Sequence, residues 1–332
     1  MPTVRVALDA MGGDHAPGAC VSGAVQAAQQ GVGVVLVGRS DVLAEELSRH
    51  GAIEGLPLSV VDAPDVIAMD EAPLAALRRK PRSSVRVAAD LVANGEADAC
   101  YSVGHTGAAL LAAHAAFGLL PGVDRPALAV VVPTETGAAV LLDAGASVEC
   151  RPEHLVQFAQ MGTAYAREAL HVDNPRVGLL SIGEEAAKGN DLIREAHARL
   201  LEVPLNFIGN VDARDLFTGG ADVVVCDGFT GNIALKVGEG LVEAVERMLR
   251  KEFGAEIVSQ IGALLTTRAF ARFRQRVDYA EYGGAPLLGV ARLAIVGHGR
   301  SSPQAIARGL AMAARLAEAR MVERLADALA RA

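Results

Sequence analysis

Five short segments of this sequence bring together side chains able to hold an anion or move a proton. The first is Asp9-Ala10-Met11-Gly12-Gly13-Asp14-His15-Ala16-Pro17. Gly12 and Gly13 let the backbone turn tightly and approach a ligand. Asp14 and His15 follow at once, a carboxylate and an imidazole suited to proton transfer. The plainer reading is a strand-to-helix turn, with Asp14 as N-cap and Pro17 in the first turn. The second segment is Gly104-His105-Thr106-Gly107. A strand that runs through such a turn into a helix leaves N–H groups free to bind an anion, and Thr106 adds a hydroxyl. A plain capped helix is the competing reading.

The third segment is Gly183-Glu184-Glu185, with Lys188-Gly189-Asn190 just beyond. The chain has four lysines, Lys80, Lys188, Lys236 and Lys251, against many arginines. A lysine beside Gly189 and Asn190 suits phosphate charge or a developing oxyanion; otherwise it is a solvated loop residue. The fourth is Cys226-Asp227-Gly228-Phe229-Thr230-Gly231-Asn232, opening a helix that carries Lys236 one turn inside. In the fifth, Tyr282-Gly283-Gly284-Ala285-Pro286-Leu287-Leu288-Gly289 reads as a flexible loop with an apolar floor. Gly297-His298-Gly299-Arg300-Ser301-Ser302 follows, a strand end entering a helix, which fits either a phosphate site or capping by Ser301 or Ser302.

These side chains need elements to position them. Short aliphatic runs at 4–8, 34–37, 58–61, 99–103, 127–132, 138–142, 177–182, 205–208, 223–226 and 293–296 read as strands. Several are apolar throughout, as parallel strands covered on both faces are. Stretches with helical spacing lie between them, at 19–30, 83–94, 152–170 and 232–253. The alternation predicts a layered α/β/α fold with its loops gathered on one rim. Pro121 to Pro126 is the best punctuation for a boundary between two lobes. The Ala-rich stretch 305–330 predicts one long helix that packs on the body or on a second subunit.

Composition narrows the function. The 332 residues are 51% hydrophobic and only 4% aromatic, with no Trp, so the core must be aliphatic. A net charge of −8 without a Lys/Arg-rich tract argues against nucleic acid as a partner. The sequence opens directly on a strand pattern and has no uninterrupted apolar run of about 18 residues, so a cytoplasmic protein is expected. No Gly-x-Gly-x-x-Gly opens a helix after the first strand, and no phosphate-binding P-loop, serine elbow or His-Glu-x-x-His stands anywhere. Cys20, Cys100, Cys150 and Cys226 are far apart and read as small buried hydrophobes. Asp222 and Asp227 bracket a strand; flanking it is their expected role, and no metal site is expected.

Taken in order along the chain, these segments, with Leu142-Asp143-Ala144-Gly145-Ala146 and Gly209-Asn210-Val211, resemble the bacterial phosphate acyltransferase family of phospholipid synthesis. The resemblance implies a two-lobed, three-layer α/β/α fold like that of isocitrate and isopropylmalate dehydrogenases and phosphotransacetylases. It implies a homodimer that needs no cofactor. The implied reaction joins the acyl group of an acyl-[acyl-carrier-protein] to inorganic phosphate, giving acyl phosphate. A membrane glycerol-3-phosphate acyltransferase would use that product, with this protein in peripheral contact at the inner face. His105 stands where the family more often has Asn, Arg300 replaces a Ser in the family's His-Gly-Ser-Ser segment, and Pro81 interrupts a basic run near Arg78-Arg79-Lys80.

For such a reaction the residue types suggest roles. Phosphate is itself a nucleophile, so no Ser or Cys intermediate is required, and the protein must hold, align and stabilise. Gly12, Gly13, Gly104, His105, Thr106, Gly107, Thr230 and Gly231 are the expected phosphate cradle. Lys188 or Lys236 would neutralise charge, Asn190 or Asn232 would donate to the oxyanion, and His15 or Asp14 would manage protons. Arg268, Arg272, Arg274 and Arg276 lie among Ile257, Ile261, Leu264, Leu265, Phe270 and Phe273. That basic amphipathic stretch suits an acidic carrier protein or an anionic membrane, or else a helix packed in a dimer. Two other functions fit the same motifs: a phosphotransacetylase-like enzyme using acyl-CoA, and a non-catalytic scaffold for lipid-synthesis enzymes at the membrane. Charge reversal at Arg272 and Arg274 is expected to weaken binding to carrier protein or to anionic liposomes; unchanged binding of both would rule out the interaction role.

Overall fold

Runs of Val, Leu and Ala with no polar alternation become strands sandwiched between helices. The computed structural model describes residues 4–51, 53–255, 266–268 and 283–331. Its strands are β1 (Arg5–Asp9), β2 (Gly33–Gly38), β3 (Leu58–Asp62), β4 (Ala99–Ser102), β5 (Ala127–Thr134), β6 (Gly137–Leu142), β7 (Val177–Ser181), β8 (Phe207–Asp212), β9 (Val223–Val225), β10 (Ala285–Leu288) and β11 (Leu293–Val296). The helices that bear on the site are α1 (Gly18–Gln29), α2 (Ser40–Ser48), α3 (Pro73–Arg79), α4 (Ser84–Ala93), α5 (Thr106–Phe117), α6 (Pro152–Ala169), α7 (Asp191–Leu200), α8 (Gly228–Ala255), α9 (Pro303–Glu318) and α10 (Met321–Ala330).

The strands form one sheet in the order β3-β2-β1-β4-β11-β10-β5-β6-β9-β7-β8. Two parallel blocks flank an antiparallel centre. In the first block β3, β2, β1, β4 and β11 run together; in the second β6, β9, β7 and β8 do. β10 is antiparallel to both β11 and β5, and β5 and β6 make a hairpin. The connection through Pro121 to Pro126 leads from α5 into β5, where the sheet passes from one block to the other.

Side chains from the two faces build separate aliphatic cores. Leu8, Leu36, Tyr101, Phe158, Leu179 and Leu310 belong to one, under α1, α6 and α9. Leu110, Leu128, Val130, Leu141, Val224 and Leu287 belong to the other, under α5 and the start of α8. Each such fully buried side chain contributes about 1.5–3 kcal/mol by leaving water. The result is the layered α/β/α arrangement that the alternation of strands and helices predicts. Cys20 and Cys226 are buried, Cys100 and Cys150 are half-buried, and all four are free thiols. Among the described residues no helix is long and apolar enough to cross a membrane.

Three expectations need correction. Residues 283–289 are not a flexible loop: 285–288 form β10, buried along its whole length at the centre of the sheet. Gly283, Gly284 and Pro286 read locally as loop, but the antiparallel partners on both sides decide the matter. Residues 305–330 are two helices, because Arg320 takes a left-handed conformation (φ 52°) that ends α9 and starts α10 on a new axis. β8 begins at Phe207 and extends to Asp212, taking in polar Asn210; as an edge strand bonded only to β7 it tolerates polar residues.

α1 and α9 pack directly on each other through Gly23. A Cβ there would lie 2.7 Å from Ile306 Cβ and 2.8 Å from the Pro303 carbonyl oxygen. Gly23→Ala gains about 0.5–1 kcal/mol of helix propensity but overpacks a contact with backbone, at about 1–3 kcal/mol. The clash wins. Urea unfolding should therefore show a lower midpoint; a midpoint at or above wild type would contradict this packing.

Candidate active site

A cavity of about 370 Å³ opens where the two parallel blocks meet. Leu128, Val130, Leu235, Ala285 and Val296 give it an apolar floor. Its polar wall carries Asp14, Thr106, Asn232, Lys236, His298 and Arg300. Four chain segments meet there, and each is held by a specific local device.

On the first block, the β1 and β4 ends touch backbone to backbone. A Cβ on Gly12 would lie 2.7 Å from Gly104 Cα. Beneath this contact sits Asp9, 3% exposed. The Ser102 hydroxyl donates to Asp9 Oδ2 (2.7 Å) and accepts the Gly104 N–H (3.1 Å). Burial pushes the Asp9 carboxyl up, against the pull of its hydrogen bonds. The Asp14 N–H donates to the Gly299 carbonyl (2.8 Å), tying the β1 loop to the β11 loop. His105 caps α5 by accepting the Ala108 N–H at Nδ1 (3.4 Å), so Thr106 is the first helical residue and faces the cavity.

On the second block, buried Asp143 organises the end of β6. Its Oδ1 accepts N–H groups of Leu128 (2.8 Å), Gly145 (3.0 Å) and Ala146 (2.9 Å), and its Oδ2 accepts that of Ser147 (2.6 Å). Burial raises this carboxyl while the four donors lower it. α8 docks on the same turn. The Gly228 N–H donates to the Ser147 carbonyl (2.8 Å), and a Cβ on Gly231 would collide with the Asp143 carbonyl oxygen. Asp227 caps the helix, accepting the Thr230 N–H (2.9 Å) and hydroxyl (2.7 Å). Asn232 and Lys236, four residues apart, then share one face of α8 and line the cavity. Among the described residues neither side chain has a hydrogen-bond or ion-pair partner. Half-buried Glu239, one turn on, lines it too; burial raises its carboxyl, while Lys236 and Arg300 lower it.

The β11–α9 loop closes the site. Ser302, not Ser301, caps α9, accepting the Ala305 N–H (3.2 Å). Arg300 reaches across the cleft and donates to Glu243 of α8 (2.8 Å). Its backbone N–H donates to His298 Nδ1 (3.1 Å). Burial holds the His298 imidazole below its ordinary range, helped by Arg300 and Lys236 and opposed by Asp14 and Glu243.

The cavity thus gathers Asp14, Gly104, Thr106, Asn232 and Lys236 from the expected site. Gly12, Gly13, His105, Gly107, Thr230 and Gly231 shape its loops without lining it. His15 is exposed beside Asp14. Lys188 and Asn190 lie on the loop after β7, outside the lining, where Asn190 caps α7 by accepting the Ile193 N–H (3.0 Å). Arg268 is helical and exposed; Arg272, Arg274 and Arg276 lie outside the described residues. Asp222 binds the Arg176 guanidinium with both oxygens (3.0 and 2.9 Å), which lowers its carboxyl, and Asp227 is a cap, so both flank β9 structurally. The sequence left the His298–Arg300 segment open between a phosphate site and capping by Ser301 or Ser302, and it did not mark Glu239 or Tyr101, which also line the cavity. The signal for His298 was a titratable ring at a strand end.

The layered sheet and the polar cleft between its blocks define an α/β fold of the phosphotransacetylase kind. The phosphotransacetylase from Streptococcus pyogenes superposes with a TM-score of 0.63 at 17% identity, over 95% of this chain and 94% of that one. A 4-hydroxythreonine-4-phosphate dehydrogenase from Klebsiella pneumoniae gives 0.50 at 16% identity, over 95% and 99%. The family model described as "Fatty acid synthesis protein" matches residues 4–324, and the chain belongs to that family. The phosphate acyltransferase of Geobacter sp. (strain M21) is 50% identical over 97% of this chain and 93% of its own length. That of Nitratidesulfovibrio vulgaris (strain DP4) is 49% identical over 99% and 96%.

Asp143→Asn keeps the shape but puts an amide N–H₂ either against the Ser147 N–H or, turned the other way, against those of Leu128, Gly145 and Ala146. A mispaired buried group costs about 1–3 kcal/mol. Thermal unfolding should report a loss of that size; a variant as stable as wild type would show that the carboxylate does not hold the turn.

Proposed function

We propose that this chain transfers an acyl group from a thioester to inorganic phosphate, giving acyl phosphate and a free thiol. The observation that carries the reading is the pair of unpartnered groups, Asn232 and Lys236, aimed into a cleft with an apolar floor. The family membership and the names of relatives at about half identity support it. Lys236 supplies a positive charge for phosphate. Thr106 at the α5 N-terminus and the amide of Asn232 add donors, to phosphate or to the oxyanion. Asp14 stands where a proton on phosphate or on the departing thiol can be handled. His15, exposed beside Asp14, is the outlying member of this proposal, and Lys188 and Asn190, on the loop after β7, are left outside the cleft it assigns. Holding both reactants in line is the main rate effect available to such a site, which needs no covalent acyl-enzyme.

The donor we propose is an acyl-[acyl-carrier-protein], held by the basic stretch from Arg268 to Arg276, with an acyl-CoA as the competing thioester. The product would pass to a membrane glycerol-3-phosphate acyltransferase, with this chain in peripheral contact at the inner face. We propose a homodimer as the working form. Its support is a row of exposed apolar side chains along α8: Phe229, Ile233, Val237, Leu241, Val245 and Met248. A scaffold without catalysis would show the same surface but form no acyl phosphate.

The test incubates the purified protein with phosphate and either carrier-protein or CoA thioesters. Acyl phosphate and free thiol are expected, with higher kcat/KM on the carrier-protein thioester. Lys236→Ala should raise the phosphate KM at least tenfold, and Asn232→Ala should lower kcat by about 10²–10³ if it donates to the oxyanion. Near-normal values in both would sink the assignment of this cleft.

A further inference from the structure

His298 lines the cavity, yet the roles above leave it unused. Its placement is specific. The Arg300 backbone N–H donates to His298 Nδ1 at 3.1 Å, so Nδ1 must keep its lone pair. In a neutral ring the proton then sits on Nε2, at the opposite edge. Protonating the ring would set an Nδ1–H against the Arg300 N–H and break that bond. The charges around the ring are mixed. Lys236, Glu239 and Glu243 come from α8, Asp14 from the β1 loop, and Arg300 from its own loop. Burial and the two cations hold the ring below its ordinary range against Asp14 and Glu243.

We propose that His298 is a catalytic electrophile: as a neutral ring it donates the Nε2–H hydrogen bond to the thioester carbonyl oxygen as that oxygen becomes an oxyanion. This assignment rests on the acyl-transfer reading. In the step, a phosphate oxygen gives an electron pair to the carbonyl carbon and a C–O bond forms. The C=O π pair moves onto oxygen, where the Nε2–H holds it. As the tetrahedral centre collapses, the C=O bond reforms, the C–S bond breaks and its pair leaves on sulfur. The proton that hydrogen phosphate loses ends on that sulfur, giving thiol. His298 keeps its Nε2 proton throughout, and Nδ1 takes up none in the step. A neutral imidazole oriented by a backbone N–H suits this task, because a charged ring would lose its orientation.

Two measurements test it, one independent of turnover. Long-range ¹H–¹⁵N spectra of the histidine-labelled protein, with His298→Gln used to assign the resonance, should show His298 at pH 7 as the neutral Nε2–H tautomer. An imidazolium or an Nδ1–H tautomer would overturn the proposal whether or not the protein transfers acyl groups. In the kinetic arm, His298→Ala should lower kcat by about 10²–10³ with a phosphate KM within threefold of wild type. His298→Gln, which offers an N–H but no base, should recover at least tenfold over Ala. Wild-type kcat should stay flat on the acid side until pH falls below the ordinary histidine range near 6.5, and the Gln variant should lack that acid limb. A Gln variant as slow as Ala would assign His298 as a base instead, and an Ala variant near wild type would leave it no role. If wild type itself forms no acyl phosphate while the spectra show the Nε2–H tautomer, the acyl-transfer reading fails and the electrophile role fails with it.

Discussion

The α8 wall of the cleft, with its amide and its lysine, depends on one buried carboxylate. Asp143 collects four backbone N–H groups from 128 and 145–147, and so fixes the turn that follows β6. α8 rests on that turn so closely that residue 231 has no room for a side chain. The docking sets the rotation of the helix, and the rotation decides which residues look into the cavity. With α8 so seated, Asn232, Lys236 and Glu239 face inward while Phe229, Ile233 and Val237 face outward. A carboxylate taken from water is costly unless it is fully hydrogen-bonded. Here the donors are backbone groups that would themselves be orphaned without it, so turn and carboxylate stabilise each other.

The first block uses a related device with a different balance. Asp9 is as deeply buried, but it accepts the Ser102 hydroxyl, and Ser102 passes the constraint to Gly104. The two blocks thus each place an aspartate at the end of a strand and each carry one wall of the cleft. The loops between them are joined by Arg300, which contacts Glu243 of α8 while its own N–H orients His298. That ion pair is largely solvated, and such pairs hold weakly. It therefore adds little rigidity, and the packed turns carry most of the geometry.

Much of the architecture was legible in the sequence because parallel strands covered on both faces leave continuous aliphatic runs, and 34–37, 138–142 and 177–182 show this well. β10 was not legible. Its Gly-Gly-Ala-Pro start carries every local mark of a loop, and only the edges offered by β11 and β5 make it a strand. The break at Arg320 was also hidden, since nothing in a run of Ala, Leu and Arg marks a left-handed residue. In the site, Asn232, Lys236, Asp14 and Thr106 were readable because Gly turns before helices announce themselves. His298 was harder, because its standing comes from a single backbone N–H on Nδ1 and from Lys236 and Asp14, which are distant in sequence. Lys188 and Asn190 share the same kind of motif as Asn232 and Lys236, yet sit on a loop that does not line the cavity. Local pattern alone did not separate the two clusters; the strand order did.

The position of bound phosphate is the most direct check on this arrangement. In crystals soaked with inorganic phosphate, tetrahedral density is expected in the cavity, within hydrogen-bond reach of Lys236 Nζ and of the Asn232 amide or Thr106 hydroxyl. Density confined to the loop after β7, beside Lys188 and Asn190, with the cavity empty of phosphate, would contradict it.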